Sequence, residues 1–175
     1  MTGIIFLAAA LLSAKSPLSL ILAILSHEAG HILFALFRGM GPPEFSLCPA
    51  GLSLRYRGII SYTDNLFLCL SGPFFSIILF FIFRGTLFSL YSLGLGIINL
   101  LPVSCLDGGG AMNALSMRFL PPEKALSLCR TVSYTFVILL CLFNILIQMK
   151  IGFNITLLAV TLYTAVTVLS GQHIL

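Results

Sequence analysis

Charged side chains are scarce in this chain of 175 residues, since Asp, Glu, Lys and Arg make up 8% of the sequence and hydrophobic residues make up 59%. A soluble domain carries about 25% charged residues. So little charge cannot cover a surface that faces water, and the composition therefore excludes a soluble globular domain. It predicts an integral membrane protein built as one bundle, with no room for a sizeable domain outside the membrane.

Clusters of basic residues are also missing. The nine Lys and Arg exceed the five Asp and Glu and give a net charge of +4, but they are dispersed singly or in pairs. Nucleic-acid binding needs a basic patch on one face, so the pattern excludes a nucleic-acid partner and leaves the lipid bilayer as the surrounding medium.

Cysteine pairs with metal-binding or disulfide spacing are absent. The five cysteines are odd in number and show no Cys-x-x-Cys motif, so no disulfide framework is expected. A free cysteine in an apolar run behaves as a small hydrophobe. Cys105 lies two residues before Asp107, which leaves a role as a metal ligand open beside simple packing.

What the chain does contain is a His-Glu-x-x-His motif, placed between apolar runs. On a helix His27 and His31 share a face and can direct two imidazoles at one zinc ion. Glu28 directly follows His27 and projects from a neighbouring face of the helix, close enough to act on a water at the metal without being a ligand. Ionisable groups inside a membrane-length apolar segment are costly and indicate a functional site.

Apolar segments predict an all-α membrane protein with about six transmembrane helices. The first lacks Lys or Arg at its N-terminal end, which favours a retained helix over a cleaved signal peptide. Gly and Pro at 72 and 73 in the third span can open the backbone or allow close helix packing. The predicted spans cover residues 3–14, 17–37, 66–83, 86–103, 129–149 and 153–170, with a short helix near 108–119.

Residues 45–57 alternate hydrophobic with small or charged side chains across a Pro-Ala-Gly turn. This period of two predicts a short β-hairpin near the membrane surface, with an irregular loop as the alternative. The free edge of a hairpin could pair with an extended substrate by strand addition.

Loop charges predict the orientation. Six spans place both termini on one side, and the side richer in Lys and Arg faces the cytoplasm. We therefore expect an integral membrane protein with both termini and the loops next to its candidate site toward the cytosol. The richer side carries Arg38, Arg55, Arg57, Arg118, Lys124 and Arg130, whereas the other carries Lys15, Arg84 and Lys150.

Catalytic zinc takes three protein ligands and leaves one position for water, so a third ligand is needed. Asp107 directly follows an apolar span and sits beside glycines that let backbone approach closely, which makes it the best acidic candidate. The alternative is that Asp107 caps the helix that follows it. The spacing alone leaves the two interpretations equal.

Two motifs together resemble the site-2 protease family of intramembrane zinc metalloproteases. One is His-Glu-Ala-Gly-His at 27–31, and the other is Asn-Leu-Leu-Pro-Val-Ser-Cys-Leu-Asp-Gly at 99–108. The resemblance covers residues 17–119 and implies that Asp107 is the third zinc ligand and that Asn99 lies near the scissile peptide bond. The six-span layout is most similar to the sporulation group, which cleaves a membrane-associated pro-sigma factor.

The sequence departs from that family at several points. Ser76 stands where many relatives carry Asn, and Ser104-Cys105 replaces a Pro-rich pair, which affects substrate placement. We expect residues 1–175 to form a single metalloprotease domain without a PDZ or nucleotide-sensing domain. The expected partners are a membrane-associated protein substrate and, as a further candidate, a regulatory membrane protein.

Two other classes of function remain as alternatives. A metal transporter would need several sites along a path, often with repeat symmetry, but the sequence has one compact cluster and no internal repeat. A catalytically silent zinc-binding membrane scaffold would not need Glu28. The presence of Glu28 therefore favours an enzyme.

Overall fold

A computed structural model of the chain describes residues 15–41, 44–48, 51–55, 61–151 and 155–169. Within these ranges the chain forms six α-helices and one two-stranded antiparallel sheet. The helices are α1 (Pro17–Phe37), α2 (Tyr62–Ile82), α3 (Leu87–Asn99), α4 (Asp107–Phe119), α5 (Pro122–Ile151) and α6 (Ile155–Leu169); the strands are β1 (Glu44–Cys48) and β2 (Gly51–Arg55). The first predicted span, residues 3–14, lies outside the described residues.

Hydroxyl side chains start the first three helices. The side-chain oxygens of Ser16, Ser61 and Thr86 each accept a hydrogen bond from the backbone N–H three residues on, which satisfies one of the free donors of the first turn. Pro17 follows Ser16 at the first helical position, where its missing N–H costs nothing. The Ser61 cap moves the start of α2 to Tyr62, four residues before the predicted start.

The fourth apolar segment is shorter as a helix than predicted. Helix α3 ends at Asn99, whereas the sequence pattern extended the span to 103. Pro102 disfavours helical backbone at the residue before it, so the chain leaves the helix early. The apolar loop that follows packs inward instead, and Val103 is fully buried against Val137 of α5 and Val168 of α6.

Three helices in the described part of the chain are long and apolar enough to cross a membrane, namely Pro17–Phe37, Tyr62–Ile82 and Pro122–Lys150. A spanning helix needs about 20 apolar residues. The helices that replace the predicted spans 86–103 and 153–170 have 13 and 15 residues. Their length therefore does not establish them as full spans, and the expected count of six stays a prediction.

The predicted hairpin region contains the only described strands. Strand β1 pairs antiparallel with β2 in a register that places Phe45 opposite Leu54 and Ser46 opposite Ser53. The connection at residues 49–50 lies outside the described ranges. The position of this sheet relative to a membrane surface stays a prediction.

Helix α2 lies at the centre of the bundle and contacts α1, α3 and α4, while α5 connects α4 to α6. Glycines allow α1 and α2 to cross closely. A Cβ added to Gly30 would lie 2.9 Å from the Ser71 carbonyl oxygen, and one added to Gly72 would overlap the His31 ring. The Ser-Gly-Pro segment at 71–73 thus brings the second helix directly against the His-Glu-x-x-His motif, within a helix that continues through Pro73.

Two arginines mark one end of the bundle. Arg38 forms an ion pair with Asp64 at a distance of 2.6 Å, and Arg118 donates a hydrogen bond to Thr63 at 3.1 Å. Asp64 is therefore paired with the residue that follows α1. Both contacts reach the first turn of α2, so the ends of α1 and α4 lie on the same side as the start of α2. This agrees with the predicted grouping of Arg38 with Arg118.

Candidate metal centre

Three side chains from two helices converge in the interior. His27 and His31 on α1 are buried, with 5% and 8% of their surface exposed, and Asp107 is half-buried. The Asp107 carboxylate oxygen Oδ2 lies 2.9 Å from His27 Nε2 and 3.3 Å from His31 Nε2. The ligand atoms of the three groups all lie within 4.8 Å of one another.

The far side of the His31 ring is held by the backbone of α2. His31 Nδ1 is 2.8 Å from the Leu68 carbonyl oxygen. A carbonyl can only accept, so Nδ1 carries the proton and Nε2 of the neutral ring presents a lone pair toward Asp107. Ser71 lies beside this contact, with its hydroxyl donating to the same Leu68 carbonyl at 2.6 Å.

The far side of the His27 ring is held by a side chain. His27 Nδ1 is 3.0 Å from Ser76 Oγ, and Ser76 has no exposed surface. A metal-binding histidine usually gives its other ring nitrogen to such a partner, which fixes the orientation of the ring. Both imidazoles therefore have a partner on α2 and turn Nε2 toward the cluster.

The chemistry of this donor set fits a metal cation. His31 Nε2 and Asp107 Oδ2 are both acceptors, so at 3.3 Å only a proton or a cation between them relieves their repulsion. Two ligands at the usual distances from a tetrahedral zinc ion lie about 3.3 Å apart. Two imidazoles and one carboxylate also match the three-ligand sets of catalytic zinc.

Glu28 lies beside the cluster without belonging to it. It is half-buried and interacts electrostatically with His27, His31 and Asp107. It follows His27 on the same helix, so its carboxylate lies on the α1 side of the cluster. This position suits a group that moves protons rather than one that binds the metal.

Asp107 is the first residue of α4, and the N-cap position belongs to Leu106. The alternative that Asp107 caps this helix is therefore wrong. The neighbouring glycines are needed for the packing of the preceding loop and not for an approach to the metal. Cβ atoms at Gly108 and Gly109 would overlap the carbonyl groups of Leu101 and Val103 in that loop. Their missing side chains let the loop fold over the first turn of α4 and place Asp107 against α1.

The structure does not bring Asn99 into the three-residue cluster. Its amide nitrogen donates to the Leu95 carbonyl of its own helix at 3.0 Å, at the last residue of α3. Its expected role near the scissile bond stays a prediction.

Cys105 is not among the converging groups. It packs against the cluster of Val103, Val137 and Val168, and burial raises the pKa of its thiol to about 11. Its contacts in this cluster, together with its absence from the three converging groups, favour packing over metal binding.

Sequence reasoning missed the two groups on α2 that orient the imidazoles. Ser76 was noted only as a departure from Asn, and the Leu68 carbonyl has no sequence signature because any residue carries one. The Ser-Gly-Pro segment was the available signal, since it indicated that this part of α2 comes close to a neighbour.

The fold and the site together define a class: a membrane protein of apolar helices with a buried two-histidine, one-aspartate site and a glutamate beside it. No protein-family model matches the chain. The chain is 32% identical over 166 residues to Stage IV sporulation protein FB of Bacillus subtilis (strain 168), a match that covers 85% of this chain. The chain therefore spans 58% of the length of the Bacillus subtilis protein.

The fold is also that of a solved structure. The chain is similar to the site-2 protease from Methanocaldococcus jannaschii, with a TM-score of 0.69 and 22% identity, over 97% of this chain and 87% of the other. These two similarities support the assignment of the chain to the site-2 protease family.

Proposed function

We propose that the chain is a zinc-dependent intramembrane endopeptidase that hydrolyses a peptide bond in or near a membrane segment of a protein substrate. The observation that carries this proposal is the convergence of the Nε2 atoms of His27 and His31 on the Asp107 carboxylate, with Glu28 beside them. The family assignment adds support, because the name of the similar structure is that of a protease.

In this proposal His27, His31 and Asp107 would hold the zinc ion. Zinc, when bound, lowers the pKa of water and polarises a peptide carbonyl. Glu28 takes the proton of the attacking water and delivers it to the leaving amine, which is general base and then general acid catalysis. Asn99 would hold the carbonyl of the substrate through the second N–H of its amide, because one N–H already donates to the Leu95 carbonyl.

The depth of the cluster has a consequence for the substrate. His31 lies seven residues before Arg38, which is about 10 Å along the helix at 1.5 Å per residue. A substrate helix must unwind to be cut there, because helical carbonyls are already hydrogen-bonded. Unpaired backbone groups in lipid cost several kcal/mol each, so an added strand on the sheet of β1 and β2 would offset that cost.

The proposed orientation and substrate follow from charge and similarity. Arg38 and Arg118 lie at one end of the bundle, which we propose faces the cytosol of a bacterial cell. The similar Bacillus subtilis protein carries sporulation in its name, so we propose a membrane-associated pro-sigma factor or other transcriptional regulator as the substrate.

The experiment that tests the function compares wild type with Glu28→Gln, with Glu123→Gln on α5 as a carboxylate control away from the cluster. We expect Glu28→Gln to retain one zinc ion per chain and to cleave a membrane-tethered pro-sigma substrate about 10²–10⁴ times more slowly. Glu123→Gln should behave as wild type. Equal cleavage by Glu28→Gln and wild type would contradict the mechanism, and zinc transport into vesicles would favour a transporter.

The role of the sheet has a separate test. Proline cannot donate a ladder hydrogen bond, so Ser46→Pro and Ser53→Pro disturb the two strands at one pair of their register. We expect at least one variant to lose cleavage while the zinc content stays that of wild type. Unchanged cleavage by both variants would show that strand addition is not used.

A further inference from the structure

We infer that Ser76 is a positioning residue that holds the His27 imidazole in the orientation needed for metal binding. The inference rests on the proposed metal site and concerns a residue outside it. Ser76 Oγ lies 3.0 Å from His27 Nδ1, and this hydrogen bond joins residues 49 positions apart on two different helices. On the other side of the ring, His27 Nε2 faces Asp107 at 2.9 Å.

The surroundings of Ser76 enclose its hydroxyl beside His27. The residue is fully buried, so water cannot replace its hydroxyl beside His27. Helix α3 closes the opposite side, where a Cβ added to Gly96 would lie 3.4 Å from Ser76 Cβ. The serine is therefore enclosed between two helices with its oxygen next to the imidazole.

The two histidines differ in what holds them. His31 has a main-chain partner, the Leu68 carbonyl, which no side-chain replacement removes. His27 depends on one side chain, so its orientation is sensitive to a single substitution. This difference predicts that metal affinity depends strongly on Ser76 and weakly on Ser71, whose hydroxyl is 3.3 Å from His31 Nδ1 beside the stronger carbonyl contact.

The chain offers a matched control on the neighbouring helix. Ser92 of α3 is as deeply buried as Ser76, and among the described residues its hydroxyl has no hydrogen-bond partner. Replacement of either serine by alanine removes one buried oxygen from a helix. The two changes differ only in that one oxygen holds an imidazole.

The test measures zinc affinity by chelator competition on the full chain in detergent, with Glu28→Gln present throughout so that the readout does not depend on cleavage. We expect Ser76→Ala to lower the affinity about 10–100-fold, as for other partners of metal-binding histidines. Ser92→Ala and Ser71→Ala should change it by less than a factor of about three. In the cobalt-loaded chain, Ser76→Ala should also shift the visible absorption bands that report ligand geometry.

A second pair of variants separates the hydroxyl from the shape of the side chain. Thr and Val at position 76 have nearly the same volume, but only Thr retains an oxygen for His27. Ser76→Thr should bind zinc more tightly than Ser76→Val. Equal affinities in this pair, or an unchanged affinity in Ser76→Ala, would overturn the inference. If the parent chain itself binds no zinc, the proposed function fails as well.

Discussion

The two halves of this bundle both bury polar side chains among apolar helices, but they arrange them in opposite ways. Between α5 and α6, Asn144 donates to the Leu157 carbonyl and to Thr161, and accepts from Gln148. Each of these donors meets an acceptor. Between α1 and α4, His31 Nε2 and Asp107 Oδ2 face each other as two acceptors at 3.3 Å, and His27 Nε2 lies 2.9 Å from the same carboxylate oxygen.

In a membrane bundle, this difference distinguishes polar side chains that hold helices together from polar side chains that are arranged to bind a proton or a cation. A buried polar group usually finds a partner, and such pairs hold helices together. A group of acceptors that face one another is stabilised only by something that arrives from outside, a proton or a cation. We propose that the unmatched set of His27, His31 and Asp107 marks the functional half of the molecule, whereas the matched set around Asn144 stabilises the other half.

The largest expected effect comes from removal of the charge in the unmatched set. In Asp107→Asn the carboxylate becomes an amide that brings donors to the cluster, so we expect zinc affinity to fall by more than about 100-fold, beyond the effect typical of supporting residues. Metal content after dialysis measures this directly. Retention of wild-type zinc content would remove Asp107 from the ligand set.

A smaller effect is expected where α2 presses on the cluster. A Cβ in Gly72→Ala overlaps the His31 ring, so we expect a loss of about 1–3 kcal/mol in the free energy of unfolding together with weaker zinc binding. Gly94→Ala on α3 is the control, because an added Cβ there meets no atom within 4 Å. A loss of equal size in both variants would show that the contact with His31 is not its cause.

The smallest effect is expected in the matched half. Asn144→Leu removes the hydrogen bonds between α5 and α6, and such bonds contribute about 0.6 kcal/mol on average in membrane helices, with a maximum of about 1.7. Unfolding in mixed detergent micelles should show a decrease of this order. Zinc affinity should stay that of wild type, and a decrease would mean that the two halves are coupled.

The sequence was sufficient for the features that depend on local periodicity. The spacing of His27 and His31 places two imidazoles on one helix face, and long apolar runs indicate α1, α2 and α5. The alternation around Phe45 and Leu54 indicated strands, which pair in the structure as β1 and β2.

The features that depend on tertiary contacts were not accessible in this way. Spacing left Asp107 equally suited to a helix cap, and only the resemblance to a family favoured the metal. Ser76 was missed because a serine in an apolar helix is common and its partner lies 49 residues away. The loop around Val103 was predicted as helix because an apolar segment buried in the core has the same composition as a membrane span.

X-ray absorption at the zinc edge tests the central claim most directly, on the full chain purified with its metal. Our account predicts one zinc ion per chain with nitrogen and oxygen ligands at about 2.0–2.2 Å, with the scattering pattern of two imidazoles and no sulfur. A sulfur ligand at about 2.3 Å would assign the metal to a cysteine and contradict the account, as would a chain that binds no zinc.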